Sequence, residues 1–279
     1  VNENISNDNV INLNFVIEES NRFFVERINI YGNNVTRENV IRNQLILDEG
    51  DPYNDILAKK SINEIKSLNF FSEVNTEVVD GKNLNTKIIN ITVEEKPTGE
   101  ITAGAGFGTS GEVLEFSVKE NNYLGKGLGV DTAISLSSES IVGKFNVTNP
   151  NYNNSDKSIN FGLQALETDK LKNFGYKSKK MGGSIGTTFE YLEDFNLGLS
   201  TSLFVENIET DSNASARQKK QKGDYFDTYL DLNFDYDKRN QKYKTSDGFR
   251  SFYSIGLPII SENNTLNNFY NYKIFSELY

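Results

Sequence analysis

Gly106, Gly108 and Gly111 stand in the spacing Gly-x-Gly-x-x-Gly, and Val113 extends it to the pattern with which kinases cover ATP phosphates. In that chemistry the glycines bring backbone N–H groups against a pyrophosphate, and an acid such as Asp131, about twenty residues on, would hold a ribose. A dinucleotide site needs a helix opening at the last glycine. Here Leu114, Phe116 and Val118 alternate as a strand does. The chain has no His, so the His-Arg-Asp loop of a kinase is excluded, and the glycines read as a hairpin. Asp227, Asp231 and Asp235 resemble paired catalytic carboxylates or a calcium site. Alternate positions on one wet strand face explain them more simply. Having neither His nor Cys, the chain cannot build a Ser-His-Asp triad, a thiol nucleophile or a His/Cys zinc site. No catalytic residue, cofactor or metal is expected, and the net charge of -10 argues against a nucleic-acid partner.

The elements that carry these residues are strands. From Phe226 to Tyr236, the residues Phe226, Thr228, Leu230, Leu232, Phe234 and Tyr236 point one way and Asp227, Tyr229, Asp231, Asn233 and Asp235 the other. The pattern predicts ten such segments: 100–109, 113–121, 127–137, 141–149, 158–167, 182–191, 196–207, 224–237, 248–257 and 268–279. Ten consecutive strands with one apolar and one polar face predict a transmembrane β-barrel. The mean hydropathy of -0.52 and the lack of long apolar runs exclude membrane helices but not barrels, whose strands carry half the apolar signal. Val1 opens no signal peptide, so a mature chain or an internal fragment is expected.

The first hundred residues follow a different order: strand 24–31, helix 36–47, helix 54–68, strand 71–79 and strand 85–94. Thr36 is the expected N-cap of the first helix, which buries Val40, Ile41, Leu45 and Leu47. The second stacks Ala58, Ile62, Ile65 and Leu68. Together they cover a three-stranded sheet supplied by Ile28, Ile30, Val74, Val78, Ile89, Ile91 and Val93. This β-α-α-β-β module ends at Lys96-Pro97-Thr98-Gly99.

Tyr31-Gly32-Asn33-Asn34-Val35-Thr36, Val40-Ile41-Arg42, Glu49-Gly50-Asp51, Ser61 and Leu68-Asn69-Phe70-Phe71-Ser72-Glu73-Val74 resemble a POTRA (polypeptide-transport-associated) domain. Pro97-Thr98-Gly99, Gly104-Ala105-Gly106-Phe107-Gly108, Glu120-Asn121-Asn122-Tyr123-Leu124-Gly125-Lys126-Gly127 and Val147-Thr148-Asn149-Pro150 are similar to the opening strands of BamA-type outer-membrane assembly factors. Asp237-Lys238-Arg239-Asn240 with Thr245-Ser246-Asp247-Gly248 matches that family's strand opening, with Thr245 where Pro is usual. The expected fold is therefore an α+β POTRA domain followed by the N-terminal part of an antiparallel transmembrane β-barrel. Residues 1–20 are expected to be the tail of a preceding POTRA domain, 21–96 the POTRA domain and 97–279 the first barrel strands. The resemblance implies a barrel of roughly sixteen strands, so the chain is expected to stop about six strands early, before the family's Arg-Gly-Phe loop.

The function the resemblance implies is insertion of client barrels into the bacterial outer membrane by strand addition, without catalysis. Client strands would pair with the barrel edge at Ile101, Ala103, Gly104, Ala105, Gly106, Phe107 and Gly108, whose glycines suit an edge that must open. Phe71, Glu73, Val74, Thr76 and Val78 of the POTRA edge strand would form a second template. Arg42 and Gln44 mark the expected contact for an accessory assembly lipoprotein, although the family usually carries an acid at the Gln44 position, and a plain solvated helix face is the other reading. The expected partners are nascent outer-membrane proteins, accessory lipoproteins, periplasmic chaperones, lipopolysaccharide and phospholipid. Basic stretches at Lys170, Lys172, Lys177, Lys179 and Lys180, and at Arg217, Lys219, Lys220 and Lys222, are read as exterior loops that either attract lipopolysaccharide or are simply solvated. A TamA-like or two-partner secretion translocator, a passive porin and an outer-membrane enzyme are the rival readings.

Overall fold

A computed structural model describes residues 2–5, 11–14, 22–108, 111–240, 245–260 and 271–278. The chain divides by its contacts into two compact units, Val1–Gly32 with Gln44–Glu94, and Asn33–Asn43 with Glu95–Tyr279. The expected fold class is what the structure shows. Strands β1 (Asn2–Ile5) and β2 (Ile11–Asn14) form a short antiparallel pair. The rest of the segment expected to be the tail of a preceding domain lies outside the described residues.

In chain order there follow β3 (Phe24–Tyr31), α1 (Glu38–Arg42), α2 (Asp55–Ser67), β4 (Phe71–Asp80) and β5 (Thr86–Glu95). The three strands form one sheet in the order β3-β5-β4, with β3 parallel to β5. A register shift between Val25 and Arg27 lets both Val25 and Ile28 turn inward. Helix α2 begins where the Asn54 side chain accepts hydrogen bonds from the N–H groups of Ile56 and Leu57. It buries Ala58, Ser61 and Ile65, while Ile28, Ile89, Ile91, Val93, Val74, Phe70 and Phe71 complete the core of the first unit. Two expectations fail here. The first helix does not reach Leu47: it stops at Arg42, and the chain beyond is held instead by the Ser61 hydroxyl, which accepts from the N–H of Ile46 at 2.9 Å. Val78 is 38 % exposed rather than in the core, because it lies near the end of an edge strand.

The second unit carries β6 (Gly99–Gly108), β7 (Gly111–Tyr123), β8 (Leu128–Ser137), β9 (Ser140–Asn149), β10 (Lys157–Lys170), α3 (Leu171–Phe174), β11 (Tyr176–Leu192), β12 (Phe195–Thr210), α4 (Ala216–Lys220), β13 (Gly223–Asp237), β14 (Phe249–Ile260) and β15 (Asn271–Leu278). All ten strands pair with their sequence neighbours in one antiparallel sheet from β6 to β15. Directly paired residues share a face, so the register sorts the side chains. Phe116, Ile134, Gly143, Ala165, Met181, Val205 and Phe226 form one continuous cross-strand row. On the other face Lys119, Asp131, Asn146, Gly162, Ser184, Ser202 and Tyr229 form another.

The apolar face is open. Ile101, Leu114, Ile134, Leu163, Ile185, Leu203 and Ile274 are all exposed, Leu203 by 48 %. A water-soluble sheet would bury them; a hydrocarbon solvent satisfies them. At one end the band closes on aromatic pairs, Phe195–Tyr236 at 6.3 Å, Tyr236–Phe249 at 5.5 Å and Phe234–Tyr253 at 6.1 Å. At the other end it gives way to charged rows, Asp169 with Lys177 and Glu209, and Glu167 with Lys179, Asn207 and Asp224. Aromatic girdles flank the apolar band of membrane barrels.

Leu199→Arg, on the apolar face near mid-strand, should destabilise the folded barrel by about 2–4 kcal/mol. Ser200→Arg, one residue along and on the polar face, should cost far less. Reversible unfolding of the full-length protein in lipid vesicles measures both, and equal costs would contradict the assignment of faces.

Candidate functional site

β6 stands at one edge of the ten-stranded sheet, with β7 as its partner and every residue exposed. Ile101, Ala103, Ala105 and Phe107 lie on the apolar face, while Thr102, Gly104 and Gly106 share the polar face with Ser117, Glu115 and Val113. A Cβ built on Gly104 or Gly106 meets nothing within 4 Å. The glycines therefore relieve no crowding, and what they remove is side-chain packing that would hold the edge. Gly108 pairs with Gly111 and the chain continues as strand β7, so no helix opens at the last glycine of the phosphate-loop spacing.

The root of β6 is bound more firmly. The β7–β8 ladder pairs Glu120 with Val130 and then Tyr123 with Leu128, so one extra residue on β7 makes a bulge at Asn121 and Asn122. The Asn121 N–H and its side-chain amide both donate to the Thr98 carbonyl, at 3.3 and 3.2 Å, and the Thr98 hydroxyl donates to the Glu120 carboxylate. Asn122 serves the other side of the bulge. Its Nδ2 donates to the Thr36 hydroxyl at 2.8 Å and its Oδ1 accepts from the Gly127 N–H at 2.8 Å, both bonds buried.

Segment 33–43 is thereby held within the strand-rich unit. The Arg37 N–H donates to the Gly125 carbonyl at 2.8 Å, and the Asn39 amide donates to Asn154 Oδ1 at 3.0 Å. Gly125 has φ +69, and a Cβ there would lie 1.9 Å from the Val35 carbonyl oxygen. Only glycine permits that turn and that approach together. The expected helix N-cap is corrected by the same contacts: Arg37 occupies the cap position of α1 without a side-chain bond, while the Thr36 hydroxyl is committed to Asn122.

Glu95, at the end of β5, closes the arrangement. Its carboxylate accepts from three consecutive backbone N–H groups, Asn34 at 3.0 Å, Val35 at 2.9 Å and Thr36 at 2.6 Å. Partial burial pushes its pKa up, but bonds from the Thr36 side chain and from these N–H groups outweigh it and hold the carboxyl below its ordinary value.

The remaining predicted residues are placed as follows. β4 is an edge strand of the three-stranded sheet, with Glu73 and Thr76 exposed but Phe71 and Val74 buried. Its free backbone edge is the part that could template, because two of the five side chains belong to the core. Arg42 forms an i,i+4 ion pair with Glu38 at 2.7 Å, and Gln44 follows α1 two residues after its last turn. Lys177, Lys179 and Lys180 are strand residues of β11 rather than loop residues, and they pair with Glu167, Asp169, Glu206 and Asp227. Lys170 pairs with Glu139. Asp235 is bridged by both guanidinium arms of Arg250, at 2.9 and 2.7 Å. Thr98, Glu120, Asn121 and Asn122 stand inside sequence motifs that give them no role, and Glu95 stands outside those motifs. Two adjacent asparagines before a Gly-x-Gly turn were the available signal for the bulge.

Two family models match the chain: one described as POTRA, surface antigen variable number repeat, over residues 23–96, and the Omp85 superfamily domain over residues 122–273. The chain is 28 % identical to the outer membrane protein assembly factor BamA of Neorickettsia risticii, across 71 % of this chain and 27 % of that protein. It is 25 % identical to BamA of Nitratidesulfovibrio vulgaris, across 89 % of this chain and 32 % of that one. It thus spans about a third of the length of these curated relatives. In fold it is similar to the crystal structure of Haemophilus ducreyi BamA lacking POTRA domains 1–3, with TM-score 0.68, 19 % identity, and coverage of 92 % of this chain and 52 % of that one. It is also similar to CdiB from Escherichia coli, with TM-score 0.56, 11 % identity, and coverage of 91 % and 50 %.

Because the Glu95 pKa is lowered on folding, its stabilisation is complete above the unfolded value of about 4.3 and is lost as pH falls through the folded value. Hydrogen-exchange protection of residues 34–36, corrected for intrinsic rate, should therefore be flat near neutrality and fall in acid below that value. Glu95→Gln should lower it roughly tenfold at neutral pH. An unchanged protection factor in the variant would contradict the role given to this carboxylate.

Proposed function

The chain belongs to the Omp85 superfamily, and from that premise we propose that it is part of an outer-membrane assembly factor that inserts client barrels by adding their strands to β6. Residues 97–279 form the first barrel strands in the bacterial outer membrane, residues 21–96 form the POTRA domain on the periplasmic side, and residues 1–20 end a preceding one. The observation that carries the reading is the glycine-rich β6, where a Cβ at Gly104 or Gly106 would meet nothing within 4 Å, so that its ladder with β7 is held with little side-chain packing. In hydrocarbon each unpaired backbone group costs several kcal/mol. An incoming strand that pairs with β6 satisfies those groups and gains ladder bonds at the same time. No nucleotide and no bond-making step is needed, so the protein acts as a template and not as an enzyme.

The same physics gives the other parts their roles. The free backbone edge of β4 offers periplasmic clients, delivered by chaperones, a second place to pair before they reach β6. The surface around Arg42 and Gln44 is where an accessory lipoprotein would dock; a partner there must displace or share Glu38, which already holds Arg42. Lipopolysaccharide and phospholipid contact the apolar face. The lysines of β11 are engaged by carboxylates, which leaves the connection through helix α4, with Arg217, Lys219, Lys220 and Lys222, as the better candidate for lipopolysaccharide.

Single cysteines at Ile101, Ala103, Ala105 and Phe107, set in the full-length protein against a client stalled during insertion, test the reading. These 279 residues contain no native Cys. Disulfides should form with client positions that move back by two each time the β6 position advances by two, as antiparallel pairing requires. Absence of adducts in every register would remove strand addition at β6 as the mechanism.

A further inference from the structure

β6 forms one edge of the described sheet and is fixed at its root, and both ends of the linker that leads into it meet one element. Glu95 and Thr98 bracket the four residues Glu95-Lys96-Pro97-Thr98. Glu95 binds the backbone of residues 34–36, and the Thr36 hydroxyl accepts from Asn122. Thr98 is held by Asn121 and Glu120. Asn121 and Asn122 are the two residues of a single bulge, so the hydrogen bonds form a closed circuit from the linker through segment 33–36 and the bulge and back to Thr98, the residue before β6.

We propose that this bulge is a positioning element that sets the pairing register of β6 and couples it to the seating of segment 33–43. An ordinary antiparallel ladder would aim consecutive residues to opposite faces with their N–H groups bound or outward by alternation. On the β6 side Asn121 continues the ladder, its N–H donating to the Thr98 carbonyl one step beyond the Gly99–Glu120 pair, while the extra residue on the β8 side lets the adjacent Asn122 reach the buried Thr36 hydroxyl. Two buried bonds on Asn122, to Thr36 and to Gly127, leave its amide no second arrangement of equal satisfaction. If segment 33–43 leaves, Asn122 loses its buried partner, the bulge relaxes, and the grip of Asn121 on Thr98 goes with it. The functional meaning rests on the reading of β6 as the template edge: a strand whose root is seated offers its backbone in one register, and a strand whose root is loose can slip or swing away. Glu120, Asn121, Asn122, Thr98 and Thr36 are thus positioning residues that touch no client.

Hydrogen exchange on the full-length protein in lipid nanodiscs tests the coupling without any client present. Thr36→Val keeps the side-chain shape and removes the hydroxyl, whereas Thr36→Ser keeps the hydroxyl. Thr36→Val should raise exchange by about tenfold both in residues 33–37 and at Gly99–Thr102, with β10 to β12 unchanged, and Thr36→Ser should restore both regions to the wild-type rate. Asn121→Ala should loosen Gly99–Thr102, and adding Thr36→Val to it should produce less than the product of the two single effects. Asn122→Ser removes the bond to Thr36 together with the one to the Gly127 N–H, and should likewise loosen both regions. Loosening confined to residues 33–37, no change in either region, or fully multiplicative double-variant effects would each overturn the proposal. The cross-linking of β6 to a client is read separately: absent adducts with intact exchange coupling reject the assembly reading alone, and normal adducts without coupling reject this inference alone.

Discussion

A strand placed in hydrocarbon must have its backbone N–H and C=O groups paired, because no water is present to take them. That requirement organises the larger unit of this protein. It fixes the all-next-neighbour antiparallel order from β6 to β15, since each strand can pass its ladder to the one that follows through a short connection. It also makes the face assignment consistent over the whole sheet. A slip of one residue in any ladder would carry Lys119, Asp131 or Tyr229 into lipid and Ile134 or Leu203 onto the polar side, so the alternation in sequence and the register in space enforce each other.

β6 has ordinary strand geometry but few side-chain contacts, and its outward face is apolar while its inner face is largely glycine. Packing therefore contributes little to holding it, and its ladder with β7 does most of the work. The polar circuit at its root compensates locally. Glu95, Thr36, Asn122, Asn121 and Thr98 are short polar residues, each satisfied by a specific partner, and buried polar groups that are fully satisfied define one geometry at high cost to alternatives. A strand that is rigid at one end and loosely held beyond it follows from those two kinds of contact standing side by side.

Much of the fold was legible in the residues. Strand period two, interrupted by turn residues, located all ten strands of the large sheet, with the observed β14 and β15 running over residues 249–260 and 271–278 against expected 248–257 and 268–279. Errors cluster where a long-range bond decides. The first helix was expected to continue to Leu47 because Val40, Ile41, Leu45 and Leu47 keep helical spacing, yet Ser61 of α2 captures the Ile46 N–H and the chain leaves the helix at Arg42. Thr36 has the right type and position for a cap, and a partner 86 residues away takes its hydroxyl instead. The lysines near residue 180 look like a loop cluster until cross-strand carboxylates show β11 extending under them.

By itself the amino-acid order determined element type, the apolar and polar faces, and the classes of chemistry that a chain without His or Cys cannot perform, because these depend on composition and on periods of two and 3.6 residues. Only the tertiary structure decided that Glu95, Thr36, Thr98 and the Asn121–Asn122 bulge form one site. The reason is physical: a hydrogen bond depends on distance and angle between atoms, and one extra residue in a ladder, invisible to any local pattern, is enough to turn two neighbouring asparagines toward partners far apart in the chain.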